Sequence, residues 1–146
     1  MDKRQFQKVL KECLYKYGFE QKHNTYYLYS DECIALVETQ KSYYSESYYI
    51  NYGFVIRALH NEEDHLSINK FADVQGRFSY CSENGIQVSY DLSEIETDKL
   101  AENIDEEIKR ILLPVVQEGI EKYFVKFPKA KCTVTRRLSE YLRWED

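Results

Sequence analysis

The feature that most constrains the fold is a long alternation of side chains over residues 47–59. One face of this segment carries large apolar side chains, and the opposite face carries a mixture that includes polar groups. The apolar face comprises Tyr48, Ile50, Tyr52, Phe54 and Ile56, and the mixed face comprises Tyr49, Asn51, Gly53, Val55 and Arg57. Because successive side chains of a strand point to opposite faces, the pattern predicts a long strand with one buried face. Such a pattern is typical of an antiparallel sheet covered on one side only.

An amino-terminal helix over about residues 2–17 is predicted to supply part of that cover. Asp2 and Gln5 have the spacing of a capping box, and Gly18 suits the left-handed position that ends a helix. Six apolar side chains recur at helical spacing: Phe6, Val9, Leu10, Cys13, Leu14 and Tyr17. A stripe of this kind must pack on another element.

The remaining elements follow from shorter patterns. Further strands are predicted near residues 26–29, 33–40, 77–81 and 86–90, with Asn84-Gly85 as a hairpin turn signal because both residues tolerate positive φ. Residues 66–75 give no clear pattern. From residue 97 the apolar period is helical, Pro114 predicts a break near Leu113, and a short last helix is predicted over about residues 135–144.

Together these patterns predict an α+β fold in a single domain spanning residues 1–146. Its antiparallel sheet has about four to six strands within residues 24–91, and the amino-terminal helix packs with carboxy-terminal helices of residues 97–145 on one face. A chain of 146 residues fits one domain.

Charge and cysteine usage limit the classes of partner and compartment. The net charge of -5 argues against a nucleic-acid partner, because neutralisation of phosphates supplies most non-specific affinity. No apolar run approaches the roughly 20 residues of a membrane span, so no membrane partner is expected. The amino terminus lacks a signal-like apolar core, and the four cysteines are scattered without a C-x-x-C pair. We therefore expect a cytoplasmic protein with buried, reduced thiols.

The carboxy-terminal half is also asymmetric in charge. Residues 94–107 are rich in acids, and residues 122–143 are rich in bases. This distribution matches the preference of helix dipoles for early acids and late bases. The alternative is that the basic segment is a tail that binds a partner.

Tyrosine is the strongest compositional anomaly. Eight of the 14 tyrosines lie between Tyr26 and Tyr52, and six of these eight form three adjacent pairs. A strand cannot bury both members of an adjacent pair on one face, so at least three tyrosines are expected outside the main core. They form either an amphipathic cover with wet hydroxyl groups or an aromatic recognition surface.

The mixed face of the long strand supplies the candidate binding residues. These are Gln40, Ser42, Tyr49, Asn51, Arg57 and Arg77, which could line a shallow groove. Amide side chains donate and accept hydrogen bonds, and arginine binds carboxylates through two N–H groups. The alternative is a cross-strand polar network that merely completes the open face of the sheet.

No recognised catalytic motif is present, so no catalytic residue, cofactor or metal ligand is predicted. Only residues 60–65, which run from His60 to His65 through four polar residues, bring several metal-ligand types together. This segment is either a metal site or a solvated charged loop.

Several segments in a fixed order resemble a known family. They are Gly18-Phe19, Asn24 before an aromatic strand, Gln40-Lys41-Ser42, and the run from Tyr48 to Gly53. This order resembles a bacterial family catalogued as domain of unknown function 4304. The resemblance covers about residues 4–127 and includes Arg77 and the helix break at Leu113-Pro114. The resemblance implies a small, stand-alone cytoplasmic domain and transfers no catalytic residue. By analogy, some such domains are immunity or accessory proteins.

Three hypotheses of function follow, of which the third is a purely structural role as a subunit of a larger assembly. The leading one is a non-enzymatic binding or protein-interaction module whose partner is another protein or a second copy. The competing one is a small hydrolase or metal-dependent enzyme with an unrecognised site around residues 60–65.

Overall fold

The protein is described from a computed structural model, which covers residues 1–61 and 67–143. One helix and four strands come first, a short helix and four short strands follow, and the last third of the described chain is helical. In chain order the elements are α1 (Lys3–Lys16), β1 (Glu20–Lys22), β2 (Thr25–Tyr29), β3 (Cys33–Lys41), β4 (Ser47–Ile56), α2 (Ile68–Phe71), β5 (Val74–Arg77), β6 (Tyr80–Ser82), β7 (Gly85–Gln87), β8 (Tyr90–Asp91), α3 (Thr97–Glu107), α4 (Leu113–Glu118), α5 (Glu121–Lys126) and α6 (Arg136–Tyr141).

Six strands form one antiparallel sheet in the order β1-β2-β3-β4-β5, and β8 pairs with β4 beside the end of β5. Strands β6 and β7 form a separate hairpin. The predicted α+β class, the antiparallel sheet and the helices at both ends of the sequence are confirmed. Within residues 1–61 and 67–143, no helix is long and apolar enough to cross a bilayer.

Helix α1 begins and ends where its sequence signals predict. The Asp2 carboxylate accepts the Gln5 N–H at 2.8 Å, and the Gln5 side chain accepts the Asp2 N–H at 2.9 Å. At the other end Gly18 has φ of 92°, and the Phe19 N–H donates to the Leu14 carbonyl at 3.2 Å. These are the bonds of a capping box and a Schellman motif, so local signals set both ends of this helix.

The main core lies between one face of the sheet and the long helices. It contains the whole apolar face predicted for β4, from Tyr48 to Ile56. Phe6, Leu10 and Leu14 of α1 are fully buried in it, as are Leu100 and Ile104 of α3. The predicted packing of the helices on this face is confirmed.

The expectation that the sheet is covered on one side only is wrong. Helix α2 covers part of the second face and forms a smaller core there. This core contains Tyr27, Ile34, Leu36, Val55, Ile68 and Ala72. Gly53 permits the close approach, since a Cβ at that position would lie 2.8 Å from the Cβ of Ala72. The two covers also explain how adjacent Tyr26 and Tyr27 are both buried: each packs on its own face.

Three predicted strands have wrong boundaries. The strand expected over residues 86–90 is divided into β7 and β8, which belong to different sheets. Strand β4 ends at Ile56, and the next residues, Arg57–Leu59, form a 3-10 turn. In the middle of the sequence, the strand expected over residues 77–81 is interrupted at Phe78 and Ser79. Phe78 is fully buried, and the Ser79 N–H donates to the Glu107 carboxylate at 3.0 Å. The chain therefore leaves the large sheet at this point to contact α3.

The hairpin predicted from Asn84-Gly85 is present. Ser82 pairs with Gly85, so Glu83 and Asn84 are the loop residues. Gly85 has φ of 100°, whereas Asn84 does not have a positive φ. This placement of glycine after the turn is typical of a type I turn followed by a bulge.

The predicted break at Pro114 takes the form of a π-helical segment over Ile108–Leu112. Proline cannot donate to the carbonyl of Arg110, four residues earlier. The Lys126 ammonium group donates to that carbonyl instead, at 2.7 Å. A side chain of α5 therefore satisfies the acceptor that the proline leaves open.

The base-rich segment packs on the rest of the molecule. Leu138 of α6 is fully buried, and Arg137 contacts the Asp73 carboxylate at 3.0 Å. Trp144, which the sequence placed in the last helix, lies outside the described residues.

Candidate interaction surface

Four of the six predicted binding residues lie together on the sheet. Gln40 of β3 pairs with Tyr49 of β4, and Asn51 of β4 pairs with Arg77 of β5. The same parity along adjacent strands places their side chains on one face. This is the face that α2 covers near the other end of β4, so the four side chains occupy its uncovered end.

Hydrogen bonds and a stacked ring connect these four side chains. The Arg77 Nε donates to Asn51 Oδ1 at 3.0 Å, and its Nη2 approaches Gln40 Oε1 at 3.4 Å. Asn51 also donates to Gln40 Oε1 at 3.0 Å. The guanidinium carbon lies 3.9 Å from the centre of the Tyr49 ring, which is close for a cation–π contact. The structure therefore contains the predicted cross-strand network, and these contacts hold the Arg77 side chain in a defined position.

Ser42 and Arg57 do not join this network. The Ser42 hydroxyl accepts the Tyr44 N–H at 3.2 Å, so it helps to form the turn. Arg57 follows the end of β4, six residues beyond Asn51, which is roughly 20 Å along an extended chain. There its Nη1 donates to the Ser30 carbonyl at 2.7 Å. Arg57 was placed wrongly because the strand was predicted to extend through it.

The turn between β3 and β4 carries two adjacent tyrosines that cover nothing. Tyr43 is 93% exposed and Tyr44 is 97% exposed. The turn itself is closed by a hydrogen bond from the Ser42 N–H to the Ser47 carbonyl at 2.9 Å. Its backbone is thus fixed by contacts other than the tyrosine rings. We call Gln40, Tyr43, Tyr44, Tyr49, Asn51 and Arg77 the tyrosine–arginine surface.

The expectation that at least three of the paired tyrosines lie outside the main core is confirmed, because Tyr27 lies in the smaller core and Tyr43 and Tyr44 are exposed. Five are exposed to a third or more of their surface: Tyr15, Tyr29, Tyr43, Tyr44 and Tyr141. Tyr15 packs its ring edge on Tyr26, and the Tyr141 hydroxyl donates to Glu32 at 3.3 Å. Sequence reasoning noted the pair Tyr43-Tyr44 but did not include it among the binding residues. Two aromatic residues in a turn rich in serine were the available signal.

The alternative site around residues 60–65 is only partly described. His60 is not solvated as a charged loop would require: its side chain is 7% exposed, and its Nε2 lies 3.0 Å from Asp73 Oδ2. Residues 62–66 lie outside the described part of the chain, and elsewhere no group of three or more metal-ligand side chains is present. The other Asp73 oxygen accepts from Thr135 and Arg137. Asp73 therefore joins three segments of the chain, and its own side chain is fully buried.

A groove of about 1060 Å³ lies between the β6–β7 hairpin and α3. Its walls are acidic, with Lys99 and Arg110 as the basic side chains. The acids are Glu83, Asp91, Glu94, Glu96, Glu102, Glu106 and Glu107. The sequence showed that residues 94–107 are rich in acids, but it did not predict that the β6–β7 hairpin packs beside them and completes a groove. Glu107 and Arg110 neutralise each other at 2.8 Å.

Cysteine exposure differs from the expectation of buried thiols. Cys33 is buried, whereas Cys81 and Cys132 are exposed. Burial raises the pKa of the Cys33 thiol to about 11, which keeps it protonated and unreactive at neutral pH. None of the three belongs to the tyrosine–arginine surface.

The architecture and the surface define a small α+β domain with an open polar sheet end and no recognised catalytic centre among its described residues. Residues 10–118 match the model of the family described as Domain of unknown function (DUF4304), and the chain belongs to that family. No curated protein and no solved structure matches the chain. The resemblance inferred from Gly18-Phe19, the aromatic strands and Leu113-Pro114 is thereby confirmed.

Proposed function

We propose that this domain is a non-enzymatic interaction module that binds a protein partner through the tyrosine–arginine surface. The observation that carries the proposal is the exposure of Tyr43 and Tyr44, at 93% and 97%, on a turn that does not need them. A cover role requires a ring to shield its neighbours, and these two rings shield nothing. Immunity and accessory proteins act by binding another protein, so such roles fall within the proposal.

The size and chemistry of the surface fit a protein partner. A tyrosine buries about 150–250 Å² when it is fully covered, so the pair supplies about 300–500 Å². A standard interface needs about 800 Å² on each partner, and the neighbouring Tyr49 and Arg77 extend the patch. Tyrosine and arginine are the residue types favoured at interface hot spots.

Site-specific photocrosslinking in the native host tests the proposal. The photoreactive residue p-benzoylphenylalanine replaces Tyr44 in one variant and Val125 in a control. Val125 lies on α5 and is 77% exposed, so it reports contacts on another surface. We expect a discrete adduct from position 44 whose partner is identified by mass spectrometry, and no equivalent adduct from position 125.

The mass of the adduct also identifies the kind of partner. An adduct of two copies of this chain assigns the surface to a homodimer, and a different mass assigns it to another protein. Absence of a discrete adduct at position 44, or identical adducts at both positions, would contradict the proposal.

A further inference from the structure

Arg77 has no carboxylate partner among the described residues, although the chain carries 25 acidic residues against 20 basic ones. Its side chain is exposed, stacked on Tyr49 and bonded to amide oxygens. Amide oxygens fix the orientation of the guanidinium group without neutralising its charge. The sheet therefore holds an oriented, unneutralised cation within the tyrosine–arginine surface.

The hydrogen bonds of Arg77 occupy one edge of its guanidinium group, and a second edge remains available to a ligand. The Nε and Nη2 bonds to Asn51 and Gln40 occupy the side edge. The end edge, formed by Nη1 and the second N–H of Nη2, has no acceptor in residues 1–61 and 67–143. The Gln40 Nε2 likewise donates to no described group. These donors match the two oxygens of a carboxylate, which arginine binds through parallel N–H bonds.

The charge of the surroundings selects a singly charged group over a phosphate. The other nearby cation, Lys41, is paired with Glu46 at 3.6 Å, so Arg77 supplies a single unpaired positive charge. One guanidinium charge balances the single charge of a carboxylate, whereas a phosphate group carries about −1.5 to −2 and would be left with excess negative charge. Resting on the proposed function, we infer that Arg77 and Gln40 receive a carboxylate of the partner protein, from an aspartate, a glutamate or a chain terminus.

Nuclear magnetic resonance of the arginine Nε–H and glutamine amide groups tests this inference without the partner. The probes are sodium acetate and inorganic phosphate, titrated at constant ionic strength with chloride. Arg4, an exposed residue of α1, is the internal control. We expect acetate to shift the Arg77 and Gln40 signals to saturation, with half-saturation at a concentration at least about fivefold lower than at Arg4. In Arg77→Lys the Gln40 shift should disappear, because lysine keeps the charge but not the paired N–H groups.

Parallel, unsaturated shifts at Arg77 and Arg4 would overturn the inference, and so would a Gln40 response that survives in Arg77→Lys. Saturation by phosphate at lower concentration than by acetate would assign the site to a phosphate instead. Each result is independent of the crosslinking at position 44, so loss of the carboxylate site would leave the interaction proposal standing.

Discussion

At the scale of single residues, Asp73 shows how one buried carboxylate joins distant segments. Its side chain has no exposed surface. One oxygen accepts the Ile56 N–H and faces His60, each at 3.0 Å, and the other accepts from Thr135 and Arg137. The carboxylate therefore links the end of β4, the following loop and α6. Four partners offset much of the cost of burying the charge.

We predict that Asp73→Ala lowers the free energy of unfolding by about 3–5 kcal/mol, because it leaves buried donors without an acceptor. Urea denaturation monitored by circular dichroism measures the change. Asp31→Ala, in an exposed turn, is the matched control and should change stability by less than about 0.5 kcal/mol. Equal effects of the two substitutions would show that the Asp73 cluster does not stabilise the fold.

The sequence could not reveal this cluster, because its members are separated by long stretches of chain. His60 precedes Asp73 by 13 residues, and Arg137 follows it by 64. By contrast, Gln40, Tyr49, Asn51 and Arg77 were brought together correctly, because period-2 alternation places residues of paired strands on one face. The prediction for Arg57 was wrong because the alternation in the sequence continues past Ile56, where the strand ends.

At the scale of elements, the carboxy-terminal cap of α1 is joined to α3 by a hydrogen bond from the Tyr17 hydroxyl to the Asp105 carboxylate. Lys109 contacts the same carboxylate at 3.0 Å. The Tyr17 hydrogen bond and then the Lys109 contact lower the pKa of Asp105 to about 2. The same hydrogen bond raises the pKa of Tyr17. Both shifts favour the ionised aspartate with a protonated tyrosine.

These shifts predict how stability depends on pH. The contribution of Asp105 is fully present above its unfolded pKa of about 3.9 and is lost as the pH falls towards 2. Because the pKa of Tyr17 is raised, its contribution is present below pH 10 and is lost as the pH rises beyond. We expect Asp105→Asn to cost about 1–2 kcal/mol at pH 7 and clearly less near pH 2, where about half of the folded molecules carry a protonated Asp105. Urea titrations from pH 2 to 8 measure this, and a constant difference across that range would contradict it.

The elements that the sequence predicted well carry their own local signals. Helix α1 has a capping box at one end and Gly18 at the other, and β4 has ten alternating residues. Strand β1 and helix α2 were missed for physical reasons. The three residues of β1 are all exposed, and α2 has only four residues, too few for a helical period. Pro114 predicted a break, but Lys126, which satisfies the freed carbonyl, is set by tertiary packing.

At the scale of the whole molecule, the two covers of the sheet explain where an interaction surface can exist. The long helices bury one face completely along β4, whereas α2 buries only the Val55 end of the other. The uncovered end carries Arg77 on Tyr49, next to the exposed turn with Tyr43 and Tyr44. Because these tyrosines contribute no burial to the fold, their removal should leave stability within about 0.5 kcal/mol of the natural sequence.

The most direct test of the account is the dissociation constant of the crosslinked partner, purified and titrated calorimetrically with variants of this domain. We predict that Tyr43→Ser with Tyr44→Ser raises the Kd at least about 30-fold, since a hot spot contributes about 2 kcal/mol or more. The matched control is Ile86→Ser with Val125→Ser, which removes two side chains of 74% and 77% exposure elsewhere, one of them in the acidic groove. The control should bind as the natural sequence does. An unchanged Kd for the tyrosine variant, or a loss confined to the control, would contradict the assignment of the tyrosine–arginine surface.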